Sequence, residues 1–417
     1  MQLKTILNRV HKFNSFVYSK AHWVEVGTTP TLEVEVRPRV GSQGICSGCG
    51  RHRPGYDHLP RRRFEFVPLW GIKVFLVYAP RRVSCPDCGI KVEQIPWACG
   101  KSPLTKAYAW FLAGWAKRLS WKAVAESFRT SWDSVFHAVE MAVTWGLAHR
   151  SLSGIQSIGI DEIAWQRGHH YVTLVYQIDS HCKRLLWIGE KRRVKTLLRF
   201  FRWFGKERSQ VLAFVCSDMW KPYLKGIARK AGQAIHVLDR FHIMAHMSKA
   251  IDEVRAQEVK ELKAQGEEPV LTKSRWLLLK RPQRLNEKQT SRLSELLRHN
   301  LKTVRSYLLK EEFQRFWECV LPTVAAEFLD EWCSRTLRSQ LKPMQRVAQM
   351  LRNHRDLILN WFRAKGRLSS GVVEGFNTKA KLTTRKAFGF RTYHALEIAL
   401  YHTLGSLPEP EFTHRFF

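Results

Sequence analysis

Three acidic residues stand in local settings suited to metal chemistry. Asp161 lies in Ile158-Gly-Ile-Asp-Glu162, Asp218 in Val215-Cys-Ser-Asp-Met-Trp220 and Glu374 in Gly371-Val-Val-Glu-Gly-Phe-Asn377. Carboxylates from distant chain positions can jointly hold two divalent ions roughly 3.5–4 Å apart, one serving an attacking oxygen and the other a leaving oxygen. Hard oxygen ligands suit Mg²⁺ or Mn²⁺ rather than zinc. Asn377, Thr378, Lys381 and Arg385 follow Glu374 at helical spacing, so one face would carry an acid beside a basic stripe. Each acid also has an ordinary alternative. Asp161 could be an edge-strand acid and Asp218 the cap of a helix near Pro222. Glu374 could be a first-turn dipole partner behind Ser369 and Ser370. Glu162 and Asp179 are weaker candidates, the first facing away from Asp161 and the second lying in a turn.

A different metal chemistry is written in Cys46-Ser-Gly-Cys49 and Cys85-Pro-Asp-Cys88. A two-residue gap lets both thiolates of a pair reach one ion, and Gly50 and Gly89 relieve the turn that follows each pair. Structural zinc on Cys46, Cys49, Cys85 and Cys88 is expected. Cys99 reads as a buried thiol, with a substitute zinc ligand as the alternative, and Cys182, Cys216, Cys319 and Cys333 as core or incidental thiols.

Composition says what such sites would act on. Lys and Arg number 69 against 36 Asp and Glu, a net charge of +33. Basic residues recur along nearly the whole chain, which points to a polyanion and above all to nucleic acid. No apolar run approaches the roughly 18 residues of a spanning helix, and Met1–Arg9 lacks a signal-peptide core. A cytoplasmic protein acting on DNA there, with no membrane partner, is expected. Its cysteines then read as thiols or metal ligands.

The elements that must position these residues are legible as period. Residues 1–102 carry strand signals, with Leu32–Val36 alternating and Ile72–Tyr78 a compact apolar run. Arg61, Arg62 and Arg63 give this segment a basic face. Residues 103–152 turn helical. Ser120 and Ser131 can cap two helices around a short turn, with Val135, Val139, Ala142 and Val143 as the apolar stripe of the second. This fits a helix-turn-helix, with Lys117, Arg118 and Lys122 as DNA contacts.

Residues 153–243 read strand-strand-strand-helix-strand-helix-strand, the order of an RNase H-like fold. Asp161 falls on the first strand and Asp218 just after the fourth. Residues 244–366 read as helices punctuated by Pro269, Pro282, Pro322 and Pro343. Trp276, Trp317, Trp332 and Trp361 there are core residues or contacts for DNA or a second protomer. Residues 367–417 bring the Glu374 helix back as the second part of the core. The expected fold class is multidomain α/β: zinc ribbon, helix-turn-helix, and an RNase H-like domain split by an all-helical insertion.

With these motifs the chain resembles bacterial insertion-sequence transposases of the DDE type, specifically the ISL-three family. The residues carrying the resemblance are the two cysteine pairs, Gly159-Ile-Asp-Glu162, Ser217-Asp-Met-Trp-Lys-Pro-Tyr223, Asp239-Arg-Phe-His242, Trp276-Leu-Leu-Leu-Lys280, and Gly371–Asn377 running on through Lys381 and Arg385 to Gly389. The resemblance implies that Asp161, Asp218 and Glu374 are the catalytic three. Asp239 is the rival for the second position because it too ends a strand. It is preferred as a supporting residue together with His242. The implied activity is binding of terminal inverted repeats, metal-dependent strand cleavage and strand transfer into target DNA. A homodimer or larger synaptic assembly would hold two ends. The alternative is a non-enzymatic DNA-binding regulator derived from such an enzyme.

Overall fold

The computed structural model describes residues 3–26, 29–267, 270–280, 282–364 and 371–411. Their contacts divide into two compact units, residues 1–151 with 385–417 and residues 152–384.

The first unit opens with helix α1 (Leu3–Val10), which the strand-dominated pattern of this region did not announce. Strands β1 (Phe16–Val26), β2 (Thr29–Pro38), β3 (Gly44–Ile45), β4 (His52–Arg53), β5 (Gly55–His58), β6 (Arg62–Leu69), β7 (Ile72–Tyr78), β8 (Arg81–Cys85) and β9 (Gly89–Val92) follow. They form a four-stranded sheet of order β1-β2-β7-β6, a three-stranded sheet β5-β8-β9 and the pair β3-β4. Period-two alternation explains the first sheet: Leu32, Val34 and Val36 are buried while Glu33 and Glu35 face outward. Trp97, 1% exposed, packs edge-on against Phe16 at 5.0 Å and Tyr78 at 5.4 Å.

Helices α2 (Lys106–Ala116), α3 (Trp121–Ser127) and α4 (Trp132–His149) come next. Ser120 Oγ accepts from Ala123 N at 3.1 Å and Ser131 Oγ from Ser134 N at 3.0 Å, each cap contributing about 1 kcal/mol. Val135, Val139, Ala142 and Val143 are buried, the stripe the periodicity predicts.

The second unit holds a five-stranded sheet made from β10 (Ser157–Gln166), β11 (His170–Ile178), β12 (Lys183–Glu190), β13 (Phe214–Ser217) and β14 (Ile235–Leu238). Its order is β12-β11-β10-β13-β14. The first three strands are antiparallel neighbours, and β13 and β14 run parallel to β10. Parallel strands need crossovers. These are α5 (Val194–Phe204) with α6 (Lys206–Gln210), and then α7 (Lys221–Lys230). On one face Ile158, Ile160, Val175 and Val215 pack on Phe200, Phe204, Tyr223 and Ile227. Each such fully buried side chain contributes about 1.5–3 kcal/mol.

From β14 the chain enters α8 (Arg240–Ala264), which starts four residues before the expected helical region. Helices α9 (Arg275–Leu279), α10 (Glu287–Leu297), α11 (Lys302–Gln314), α12 (Pro322–Arg338), α13 (Lys342–Asn353) and α14 (Arg355–Arg363) complete the insertion. Pro322 and Pro343 sit in the first turns of α12 and α13, where the missing N–H costs nothing. Pro269 lies outside the described residues. Trp332 is core, 1% exposed, with Nε1 donating to the Leu309 carbonyl at 3.0 Å, whereas Trp276 is 62% exposed. Glu258, buried, accepts from the backbone N–H groups of Lys302 at 2.7 Å and Thr303 at 2.8 Å, an anion at the start of α11.

The insertion returns to the sheet through α14. Asn360 Nδ2 donates to the His236 carbonyl on β14 at 2.8 Å, and Ala364 packs on Phe214 and Val237. Ser369 and Ser370, and the break expected from Gly366, lie outside the described residues.

Helix α15 (Gly371–Lys386) carries Glu374, and α16 (Tyr393–Leu404) follows. The sequence places all of 367–417 in the catalytic core. The contacts instead group 385–417 with the first unit. The reason is that α16 packs along α4: His394 pairs with Glu140 at 2.6 Å, and Leu396 and Leu400 are fully buried. Among the described residues no helix is long and apolar enough to cross a membrane.

Candidate active site

The register of the second sheet brings three aspartates to one level. Gly159 on β10 pairs with Cys216 on β13, and Cys216 with Val237 on β14. Continuing each strand by two residues reaches Asp161, Asp218 and Asp239. Asp161 is thus the fifth residue of β10, level with Asp218 and Asp239, which directly follow the carboxyl ends of β13 and β14, the edge where open α/β sheets place their ligands.

Glu374 reaches the same edge on α15, and two contacts fix that helix against β10. Gly159 supplies the first. A Cβ built there would lie 2.4 Å from Val373 Cγ2, so only glycine allows this approach. Asn377, 6% exposed, supplies the second: its Nδ2 donates to Asp161 Oδ2, and its Oδ1 accepts from Tyr176 Oη at 2.9 Å. The Tyr176 ring stacks on Phe376 at 4.9 Å. Asn377 was expected to meet DNA. It is instead buried one helical turn beyond Glu374, with both ends of its amide committed to the protein.

Asp161 is held from several sides. Its Oδ1 also accepts from the Glu162 N–H at 2.7 Å, and His242 Nε2 stands 3.8 Å from Oδ2. The Asp161 carboxylate raises the His242 imidazole to about 9 against the opposing effect of burial. Asp239 caps α8, its Oδ1 accepting from Phe241 N at 2.9 Å. Burial pushes its carboxyl up to about 6. Its cap bond and His242 oppose that rise, while Asp161 and Glu374 add to it by repulsion.

Asp218 has different neighbours. Its Oδ1 accepts from Trp220 N at 3.0 Å in the turn before α7, whose N-cap is Trp220 rather than Asp218. Its Oδ2 pairs with Arg192 at 2.9 Å, and Arg192 Nε lies 2.9 Å from Glu162 Oε1. The guanidinium rests 4.7 Å from the Trp220 ring. Glu162, pushed up to about 7 by burial and by Asp218, is thus part of the electrostatic cluster although it faces away from Asp161. Asp179 is structural, accepting from Gln177 Nε2 at 2.8 Å in its turn.

Neither Arg192 nor Tyr176 stands out in the sequence. One follows a strand end inside Lys191-Arg-Arg193, and the other reads as ordinary strand alternation. Only the strand order reveals what each one faces.

The donor set here is hard oxygen, and it is crowded. Arg192 faces Asp218 and Glu162, His242 faces Asp161, and Asp239 is repelled by Asp161 and Glu374. Asp161 and Asp239 are buried while Glu374 is exposed, and repulsion among such carboxylates is what a divalent cation relieves, so the donor chemistry suits a hard divalent ion.

In the first unit, Cys46, Cys49, Cys85 and Cys88 have sulfurs within 4.8 Å of one another, the one such group of metal-ligating atoms among the described residues. Cys49 and Cys85 sulfurs are 3.6 Å apart. Gly50 and Gly89 take φ of +70° and +72°, the left-handed turns that glycine permits. Burial raises the Cys85 thiol, but Arg53 Nε, 3.3 Å from its sulfur, and the backbone N–H groups of Asp87 and Cys88 outweigh this and bring it to about 6. The cluster could hold a zinc ion. Cys99 is exposed, not buried as the sequence suggested.

The expected DNA contacts of the first unit are largely compensated. Arg61 pairs with Glu35 at 3.5 Å and Arg63 with Glu33 at 2.8 Å, while Arg62 donates to the carbonyls of Lys101 and Ser102. Lys117 pairs with Glu409 and Lys122 with Glu126. The Arg118 carbonyl accepts from Lys386 Nζ. On α15, Lys381 and Arg385 are exposed.

Residues 158–400 match a family model described as Transposase, of the DDE type and the ISL3 group. The transposase for insertion sequence element IS1557 of Mycobacterium tuberculosis is 30% identical over 401 residues, covering 89% of this chain and 88% of that protein. The transposase for insertion sequence element IS1001 of Bordetella parapertussis is 28% identical over 364 residues, covering 87% and 88%.

Proposed function

The chain belongs to the ISL3-type DDE transposase family, and from that premise we propose that it binds the terminal inverted repeats of an insertion element, cleaves the DNA strands there and joins them to target DNA. The observation that carries this is the convergence of Asp161, Asp218 and the Glu374 helix on one sheet edge. The order β12-β11-β10-β13-β14 is consistent with an RNase H-like fold and supports the same reading.

In this reading Asp161, Asp218 and Glu374 would hold two Mg²⁺ or Mn²⁺ ions, which would supply activation of the attacking oxygen and stabilisation of the leaving one. The remaining residues act through position. Asn377 fixes the Asp161 carboxylate and ties it to the Glu374 helix. Arg192 orients Asp218 from the opposite side. His242 would face Asp161 from the first turn of α8, and Asp239 would support it from the α8 cap. Water and then a DNA 3′-hydroxyl attack phosphorus in line, so no covalent link to the protein forms. Two ends must be engaged at once, which calls for a homodimer or larger synaptic assembly.

Purified protein with Mg²⁺ and a duplex carrying the element's ends should release cleaved strands. Omission of Mg²⁺ and Glu374→Ala should each abolish the product while DNA binding persists. Cleavage retained by Glu374→Ala would overturn the mechanism.

The four cysteines are assigned a structural Zn²⁺ in a ribbon that reads DNA beside the α3–α4 helix-turn-helix. A Cys46→Ser/Cys85→Ser double variant should lose about one zinc per chain and the folded signal of residues 40–95. Unchanged zinc content by metal analysis would remove this assignment.

A further inference from the structure

Four cations of the first unit border one cleft. Between α1, the start of β1 and the residue after β2 lies an open groove of about 870 Å³, lined by Lys4, Asn8, Arg9, Lys12, Ser19 and Arg39 among others. Among the described residues that line it there is no carboxylate. Lys4, Arg9, Lys12 and Arg39 are all exposed, and none has an ion-pair partner among the described residues. The contrast with Arg61 and Arg63 is direct: those guanidinia face Glu35 and Glu33, so their outward field is largely cancelled, whereas the cleft keeps its full charge.

The groove also carries neutral hydrogen-bonding groups. Asn8 lies between the Lys4 and Tyr18 carbonyls, with its Oδ1 accepting from Tyr18 N at 3.4 Å. Ser19 Oγ donates to the Glu35 carbonyl at 3.3 Å and keeps lone pairs to accept with. Uncompensated cations flanked by short polar side chains suit a run of phosphodiesters.

We propose that the α1–β1 cleft is the principal phosphate-backbone track of the first unit on duplex DNA, in place of the Arg61–Arg63 face. This rests on the DNA-binding reading above, and the experiment separates the two. Fluorescence anisotropy would follow a labelled end-containing duplex binding to the full chain between about 50 and 200 mM salt. Each phosphate contact contributes about 0.9 to the slope of log K against log salt. Lys4→Gln/Arg9→Gln/Lys12→Gln/Arg39→Gln should therefore flatten the slope by roughly 3 to 4 and weaken binding at least about tenfold. The charge-preserving Lys4→Arg/Arg9→Lys/Lys12→Arg/Arg39→Lys should bind like the parent, and thermal melts by circular dichroism should match for all three proteins.

An unchanged slope in the glutamine variant, with the parent binding normally, overturns the cleft alone. Loss of binding in the charge-preserving variant overturns it too, because charge would then not be the cause. A parent that shows no salt-dependent binding overturns both the cleft and the DNA-binding reading.

Discussion

Replacing Asp161 by Ala should lower Mg²⁺-dependent end cleavage by roughly 10³-fold or more while leaving DNA affinity within about twofold. Asp161 is the acid with the most structural support: Asn377, the Glu162 N–H and His242 all address its carboxylate. Binding should survive because the removed charge is negative and nearly buried. Asp218→Ala should match it in activity, since the register sets Asp218 beside Asp161 and Arg192 holds its Oδ2.

Asp239→Asn distinguishes the rival. An asparagine keeps the α8 cap, so a supporting Asp239 predicts activity within about tenfold of the parent. Full loss in Asp239→Asn with cleavage retained in Asp218→Ala would exchange the two roles. Single-turnover cleavage and anisotropy on the same preparations read both quantities.

The second large effect comes from a residue with no functional group. Gly159→Ala places a methyl 2.4 Å from Val373 Cγ2, and α15 must move. Overpacking of this kind costs about 1–3 kcal/mol. The larger expected consequence is kinetic, because a shift of about 1 Å in a catalytic group costs about 10²-fold. Adding Val373→Ala should restore most of the rate by opening space. Asn377→Leu should copy the kinetic defect by cutting the link between Asp161 and α15. Urea unfolding against cleavage rate separates stability from position. A Gly159→Ala enzyme with parental activity would mean that Glu374 tolerates displacement.

Much of this architecture is visible in the sequence because period reports burial. The alternation Ile158, Ile160 against Gly159, Asp161 marks β10 and its two faces, and the four helical-stripe residues of α4 mark its buried side. The cysteine pairs are legible because ligand spacing is a local property. What escapes is whatever depends on strand order. Tyr176 and Arg192 acquire their roles from neighbours far along the chain, and Asn377 looks like a surface polar residue until β10 is laid against it. The basic segments mislead for the same reason. Arg61 and Arg63 are countable in the sequence, but their carboxylate partners on β2 are found only across the sheet. The α1–β1 cleft is the converse case, since its cations are scattered in sequence and converge in space.

Helix α8 has a consequence for how the insertion can vary. Its first turn holds Asp239 and His242, and its later turns bury Met247, Ala250, Ile251 and Val254 in the helical core. At 25 residues it runs about 38 Å without a break. Residues added or lost beyond Ala264 therefore leave the aspartate edge untouched, because the rod between them carries no joint. The insertion can be remodelled at its outer end to suit new partners, while a single residue gained or lost within the first two turns would rotate the imidazole off Asp161 by about 100°.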